Sequence, residues 1–266
     1  MSDEASLNRA ASITQAPPTE EQQDIVRIKT LDSCDFPIVE REIPVEGGKT
    51  YRVLVLPRAV QDCFDKEGYH AVRINSTELA AKLPAFGGKT AASYSLLPHQ
   101  DHFSHDRRRF LAISQESSGA RDSQTYIARP EVIAASLPKM REYFDSHLNE
   151  LKQIFVHEPS MQLPKEVLLS CFEDGGKGLD KVVAANLPPN APETVKVFAY
   201  CGILAYLIQG PHADKVVGDF LNDNKDKVVS EEWKTGGTLI LDNSRVFDGR
   251  FGPNATPLKR NWMIAE

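Results

Sequence analysis

The chain has no apolar run long enough to cross a bilayer, which argues against a membrane-spanning helix. Its first residues, MSDEASLNRAASITQAPPTEEQQ, lack the apolar centre of a secretory signal. Cysteine is scarce. The four present, Cys34, Cys63, Cys171 and Cys201, form no C-x-x-C pair and have no neighbours that mark a nucleophile, so a reduced, cytoplasmic protein is expected. Dense positive charge is scarce as well: the formal balance is -6, and Arg107-Arg108-Arg109 is the one dense basic run. That balance speaks against general nucleic-acid or anionic-membrane binding, and the run reads as a solvated strand edge. Phosphate loops are missing. Gly47-Gly48-Lys49-Thr50 and Gly87-Gly88-Lys89-Thr90 mimic the end of one, but Ile43 and Leu83 stand where the required first glycine belongs. Glu173 to Gly178 reads as a flexible turn, and no G-x-S-x-G elbow supports a serine hydrolase.

What is present suits a globular enzyme-sized domain. With 266 residues and 41% hydrophobic content, the chain can bury a substantial core. The polar stretch 1–23 is expected to be a disordered tail. Residues 24–266 are expected to form a single domain, since no repeat or linker divides them. Strand patterns occur over Asp24–Lys29, Thr50–Leu56, Tyr69–Ile74, Arg109–Ser114 and Gln124–Ala128, with a long apolar strand expected over Val195–Ile208. Helical patterns cover Pro57–Lys66, Thr77–Leu83 with Ser76 or Thr77 as cap, Pro130–Ala135, Pro138–Phe155 with a break at Pro138, and Ala213–Lys225. A mainly β fold with flanking helices follows, of the kind in which two sheets face each other around a pocket.

Two segments carry the chemistry. In Leu96-Leu97-Pro98-His99-Gln100-Asp101-His102, His99 and Asp101 stand two apart on extended backbone and so point the same way. A histidine and a carboxylate on one side can share a metal ion, although such spacing also arises in hydrogen-bonded turns. The second segment, Gly236 to Arg250, is an apolar strand entering a charged turn, Asp242-Asn243-Ser244-Arg245-Val246-Phe247-Asp248-Gly249-Arg250, with Arg260 beyond it. Asp242 and Asn243 read as turn formers.

In order and content these segments resemble the taurine dioxygenase and clavaminate synthase-like family of iron(II)- and 2-oxoglutarate-dependent oxygenases, over roughly Gly68 to Trp262. The resemblance implies a distorted double-stranded β-helix, or jelly roll. It implies iron(II) held by His99, Asp101 and a third ligand at position 248, and Thr125 and Arg260 in contact with 2-oxoglutarate. Arginine suits that role, because its planar fork meets a carboxylate with two parallel hydrogen bonds. Arg250 is either a substrate contact or a structural ion-pair partner. The implied activity consumes O2 and 2-oxoglutarate, releases succinate and CO2, and oxidises an unactivated C–H bond of a small molecule by hydroxylation, desaturation or ring closure. The regions Phe64–Phe86 and Val197–Tyr206 are candidate pocket walls. Neither the substrate nor the oligomeric state is encoded in a motif.

One residue departs from the family pattern. Where the resemblance calls for His-Gly-Arg, the chain has Asp248-Gly249-Arg250. A carboxylate is shorter than an imidazole and adds a negative charge beside Asp101 and a dianionic cosubstrate; a unit charge at 4 Å is worth about 4 kcal/mol at an effective dielectric near 20. It also draws an oxygen-rich site toward manganese, magnesium or calcium. Three readings stay open: Asp248 is a working ligand, or it turns the scaffold into a non-catalytic small-molecule binder, or a different histidine (His70, His102, His105 or His212) completes the site. A metal-dependent lyase or hydrolase is a further alternative.

Overall fold

A computed structural model describes residues 25–32, 36–44, 48, 50–86, 89–100, 109–115, 124–155, 163–232 and 236–266. The expected tail and Asp101, His102, His105 and Trp233 lie outside the described residues. The first half contains β1 (Ile28–Leu31), β2 (Glu40–Pro44), β3 (Thr50–Leu56), α1 (Arg58–Asp65), β4 (Ala71–Ile74), α2 (Thr77–Lys82), β5 (Lys89–Ala92), β6 (Leu96–His99), β7 (Phe110–Gln115) and β8 (Gln124–Ala128). Then come α3 (Pro130–Ser146), α4 (Leu148–Ile154), α5 (Lys165–Ser170), α6 (Lys177–Ala185), α7 (Glu193–Leu207) and α8 (Pro211–Asp223). Strands β9 (Val229–Glu232), β10 (Gly237–Asp242), β11 (Phe247–Phe251) and β12 (Asn254–Ala265) close the chain. The architecture is therefore mixed α and β, with more helix than the mainly β expectation allowed.

The strands form two sheets. The larger has the order β1-β4-β10-β7-β12-β3-β2, with β5 also paired to β12; the smaller has the order β6-β11-β8-β9. Side-chain alternation sorts residues into layers. On β7, Phe110 and Ala112 join Phe64 and Leu79 of α1 and α2 in one cluster, while Leu111 and Ile113 face the other way. That second cluster joins Leu239, Leu241 and Trp262 of the large sheet to Ile127 of the small one, so it fills the space between the sheets. The opposite face of the small sheet, through Tyr126, Ala128 and Phe247, packs under α3 to α8. Four layers result: two helices, the large sheet, the small sheet, and a six-helix cover.

Local sequence explains several elements. Ser76 caps α2, accepting a hydrogen bond from the Leu79 amide at 3.1 Å, which offsets an orphan donor of the first turn. At the other end of α2, the buried Lys259 ammonium donates to the carbonyls of Ala80, Ala81 and Leu83 at 3.1, 3.0 and 2.8 Å. Its three protons meet three acceptors that a helix C-terminus leaves open.

Two expectations fail for identifiable reasons. Residues 195–208 are not a strand; residues 195–207 form most of α7, and Ile208 caps its C-terminus. Its faces touch both β6 and α3, so apolar residues occur all round it and no helical period shows. Pro138 does not interrupt a helix: α3 runs through it, and the break comes at His147. Only one backbone hydrogen bond is lost at a proline, and Val132, Ile133, Met140 and Phe144 on both sides of it are buried, which holds the helix together.

Candidate metal centre

Strand β11 lies between β6 and β8. Asp248 pairs with His99 on one side and with Ile127 on the other. Residues directly opposite on antiparallel strands have Cβ atoms about 5 Å apart on the same face. Ile127 belongs to the cluster between the sheets, so Asp248 and His99 share the inner face. Both are buried, at 3% and 7% exposure. The Nδ1 of His99 is 3.1 Å from the Leu97 carbonyl; Nδ1–H donates to it, which puts the ring's lone pair on Nε2. That is the tautomer a metal-binding imidazole needs.

Arg260 reaches the same place from the other sheet. It sits on β12 opposite Ile113, and its Nη2 is 3.3 Å from Oδ2 of Asp248. Thr125 and Arg250 are cross-strand partners on β8 and β11, each two residues from an inward-facing position, and both are buried. Arg250 donates to the Tyr94 carbonyl at 3.0 Å, while its Nε is buried with no hydrogen-bond partner among the described residues. Burial, and next the charge of Arg260, push the Arg250 guanidinium below its ordinary pKa. Two guanidinium groups thus face one inner surface with a hydroxyl beside them, a donor set that fits a small dianion.

Two features fix the geometry of β11. A Cβ on Gly249 would meet the Tyr126 hydroxyl at 2.2 Å and the Leu96 carbonyl oxygen at 2.7 Å. The Tyr126 hydroxyl itself donates to Leu96 at 2.8 Å, so glycine is required where tyrosine staples β8 to β6 across the middle strand. Asp242, fully buried, anchors the turn before β11. Its Oδ1 accepts from the Ser244 amide and hydroxyl at 3.2 and 2.6 Å, and its Oδ2 accepts from Arg109 at 3.0 and 2.5 Å.

The structure thus brings His99, Asp248 and Arg260 together, with Thr125 and Arg250 two cross-strand pairs further along. Asp101 lies outside the described residues. The alternative histidines that are described are engaged elsewhere: His70 with the Arg27 amide and the Arg129 guanidinium, and His212 with Tyr143 and Glu150. The expectation that Val197–Tyr206 lines the pocket is corrected. Helix α7 packs on the far side of the small sheet, where Phe198 stacks on Phe247 at 4.9 Å, so it braces the strand that carries Asp248. The staple role of Tyr126 was missed in the sequence, although a glycine between two charged residues on a strand is a sign of close approach. No family model matches the chain, and no curated protein does.

Proposed function

We propose that the protein is an iron(II)- and 2-oxoglutarate-dependent oxygenase acting on a small molecule, built on a distorted double-stranded β-helix. The β-helix reading rests on connectivity: β6, β7 and β8 alternate between the two sheets, and so do β10, β11 and β12. The functional reading rests on one observation above all. Asp248 lies opposite His99 and is ion-paired with Arg260. That pairing answers the charge objection to a carboxylate at this position. The positive charges of a divalent metal, Arg250 and Arg260 balance Asp101, Asp248 and dianionic 2-oxoglutarate, so the extra negative charge is offset where it arises.

On this reading His99, Asp101 and Asp248 hold the metal, and Thr125 with Arg250 or Arg260 takes the far carboxylate of the cosubstrate. Bound iron with 2-oxoglutarate and O2 supplies the oxidising power: one oxygen atom leaves in succinate, with release of CO2, and the other enters the substrate C–H bond as hydroxyl in the default outcome. The chain's own contribution is placement and exclusion of water. His99 presents Nε2 because Leu97 holds Nδ1–H, and the inner face is walled by Ile113, Ile127 and Trp262, which keeps the arginine–carboxylate contacts strong.

A non-catalytic binding protein on the same scaffold is the second reading, and the same ion pair favours it, because Arg260 already has a carboxylate partner. Anaerobic addition of iron(II) and 2-oxoglutarate separates the two. The visible charge-transfer band of the chelate, followed on O2 by succinate, supports the oxygenase; ligand binding without either supports the binder.

A further inference from the structure

We infer that His147, Glu150 and His212, on the helical cover, form a second metal site that takes a divalent transition ion of the zinc class. His147 occupies the joint between α3 and α4, and Glu150 follows one helical turn later, so the two share a face. His212 is the second residue of α8, placed there by Gly210, whose φ of +61° turns the chain, and by Pro211. One ring nitrogen from each histidine and one Glu150 oxygen all lie within 4.8 Å of one another. Nε2 of His212 is 3.5 Å from Oε2 of Glu150, close to the roughly 3.4 Å edge of a tetrahedron with zinc–ligand bonds near 2.1 Å.

A second observation concerns Tyr143, which orients both rings. Its carbonyl accepts from Nδ1 of His147 at 2.9 Å, and its hydroxyl is 2.7 Å from Nδ1 of His212. Its ring also stacks on His147, with centroids 4.1 Å apart at 17°. Metal-binding imidazoles are held in this way, with one nitrogen tied to a carbonyl or polar side chain and the other left for the ion. Here one tyrosine serves two ligands. The donors, two imidazoles and a carboxylate, suit zinc better than magnesium or calcium. The Glu150 side chain is 67% exposed, which gives an entry path and room for water in the fourth position.

An ion here would pin the start of α8 to the α3–α4 joint. Helix α8 packs on β6 and β11, and its Asp214 accepts from the amide and hydroxyl of Ser95 at 2.7 and 2.6 Å, just ahead of β6. The site would therefore brace, from behind, the two strands that carry His99 and Asp248.

The test is zinc binding by the chelator-stripped full-length protein, measured in competition with a chromophoric chelator, with Co2+ as a spectroscopic substitute. We expect Glu150→Gln and His212→Gln each to weaken one zinc equivalent by about tenfold or more, Tyr143→Phe to weaken it by about tenfold while all ligands remain, and His99→Ala to retain it. Co2+ should give the visible bands of a four-coordinate ion, lost in Glu150→Gln, a surface change that does not threaten folding. The inference is overturned if Glu150→Gln and His212→Gln bind zinc as the parent does, or if His99→Ala alone abolishes all zinc binding.

Discussion

Asp248 of the small sheet and Arg260 of the large sheet are joined by an ion pair at 3.3 Å inside the sandwich. Their side chains are 5% and 16% exposed, so each is held largely out of water. Removing one partner of such a pair takes a charge partner from a group that burial has already desolvated. Arg260→Leu should lower stability by about 3 kcal/mol, read as a drop in the urea midpoint at unchanged slope. Adding Asp248→Asn should recover about 1 kcal/mol or more, because the two changes share one interaction. Additive losses would mean that the pair is not coupled.

Gly249 makes a local prediction with a functional consequence. Gly249→Ala sets a methyl against the Tyr126 hydroxyl and the Leu96 backbone, and the backbone atom cannot swing away. A loss of about 2 kcal/mol is expected from this overpacking. Metal affinity should fall with it, because the β6–β11 pairing that sets His99 opposite Asp248 must open. Gly249→Ala combined with Tyr126→Phe should not restore it, since the Leu96 contact persists.

Stability should depend on His70 in mildly acid solution. Burial first, and then the charges of Arg129, Arg245 and Arg27, push its pKa down to about 4 from an ordinary value of 6.5. Nδ1 accepts from the Arg27 amide at 2.9 Å, so a second ring proton would break that bond. The unfolded chain takes up this proton near pH 6.5 and the folded chain only near pH 4. The unfolded state therefore binds more protons in that window, and stability falls as pH drops through it. His70→Gln should flatten the slope of the urea midpoint between those limits. Losses at lower pH belong to paired carboxylates such as Asp65 and Asp180, whose pKa values are lowered by hydrogen bonds from Gln61 and Arg141 respectively.

Lys259→Met keeps the bulk of the stem but strips three carbonyls of their donor. A cost of about 3 kcal/mol is expected, with α2 losing amide-exchange protection before the sheet does. Equal loss across the sheet would contradict a capping role confined to α2.

Much of the strand framework was legible from the sequence because its strands are short runs of β-branched, aromatic and apolar residues bounded by turn-forming ones. Thr50–Leu56 and Gln124–Ala128 have the observed bounds of β3 and β8. Helix α7 was not legible, because a segment buried on several sides carries no period to read. Nor could spacing show that Asp248 meets Arg260. They are twelve residues apart on strands of different sheets, and only the crossing of the chain from β11 to β12 brings them together. The cluster of His147, Glu150 and His212 has a faint local sign in the histidine and glutamate one turn apart, but the third member comes from another helix.

We propose that Asp248, paired with Arg260, belongs to a working metal and 2-oxoglutarate site. The direct test is anaerobic titration of iron(II) and 2-oxoglutarate into the parent protein, His99→Ala and Asp248→His, reading the visible charge-transfer band. A band is expected in the parent, none in His99→Ala, and a stronger one in Asp248→His. A band in Asp248→His alone would overturn the proposal and leave a scaffold whose chemistry Asp248 has switched off.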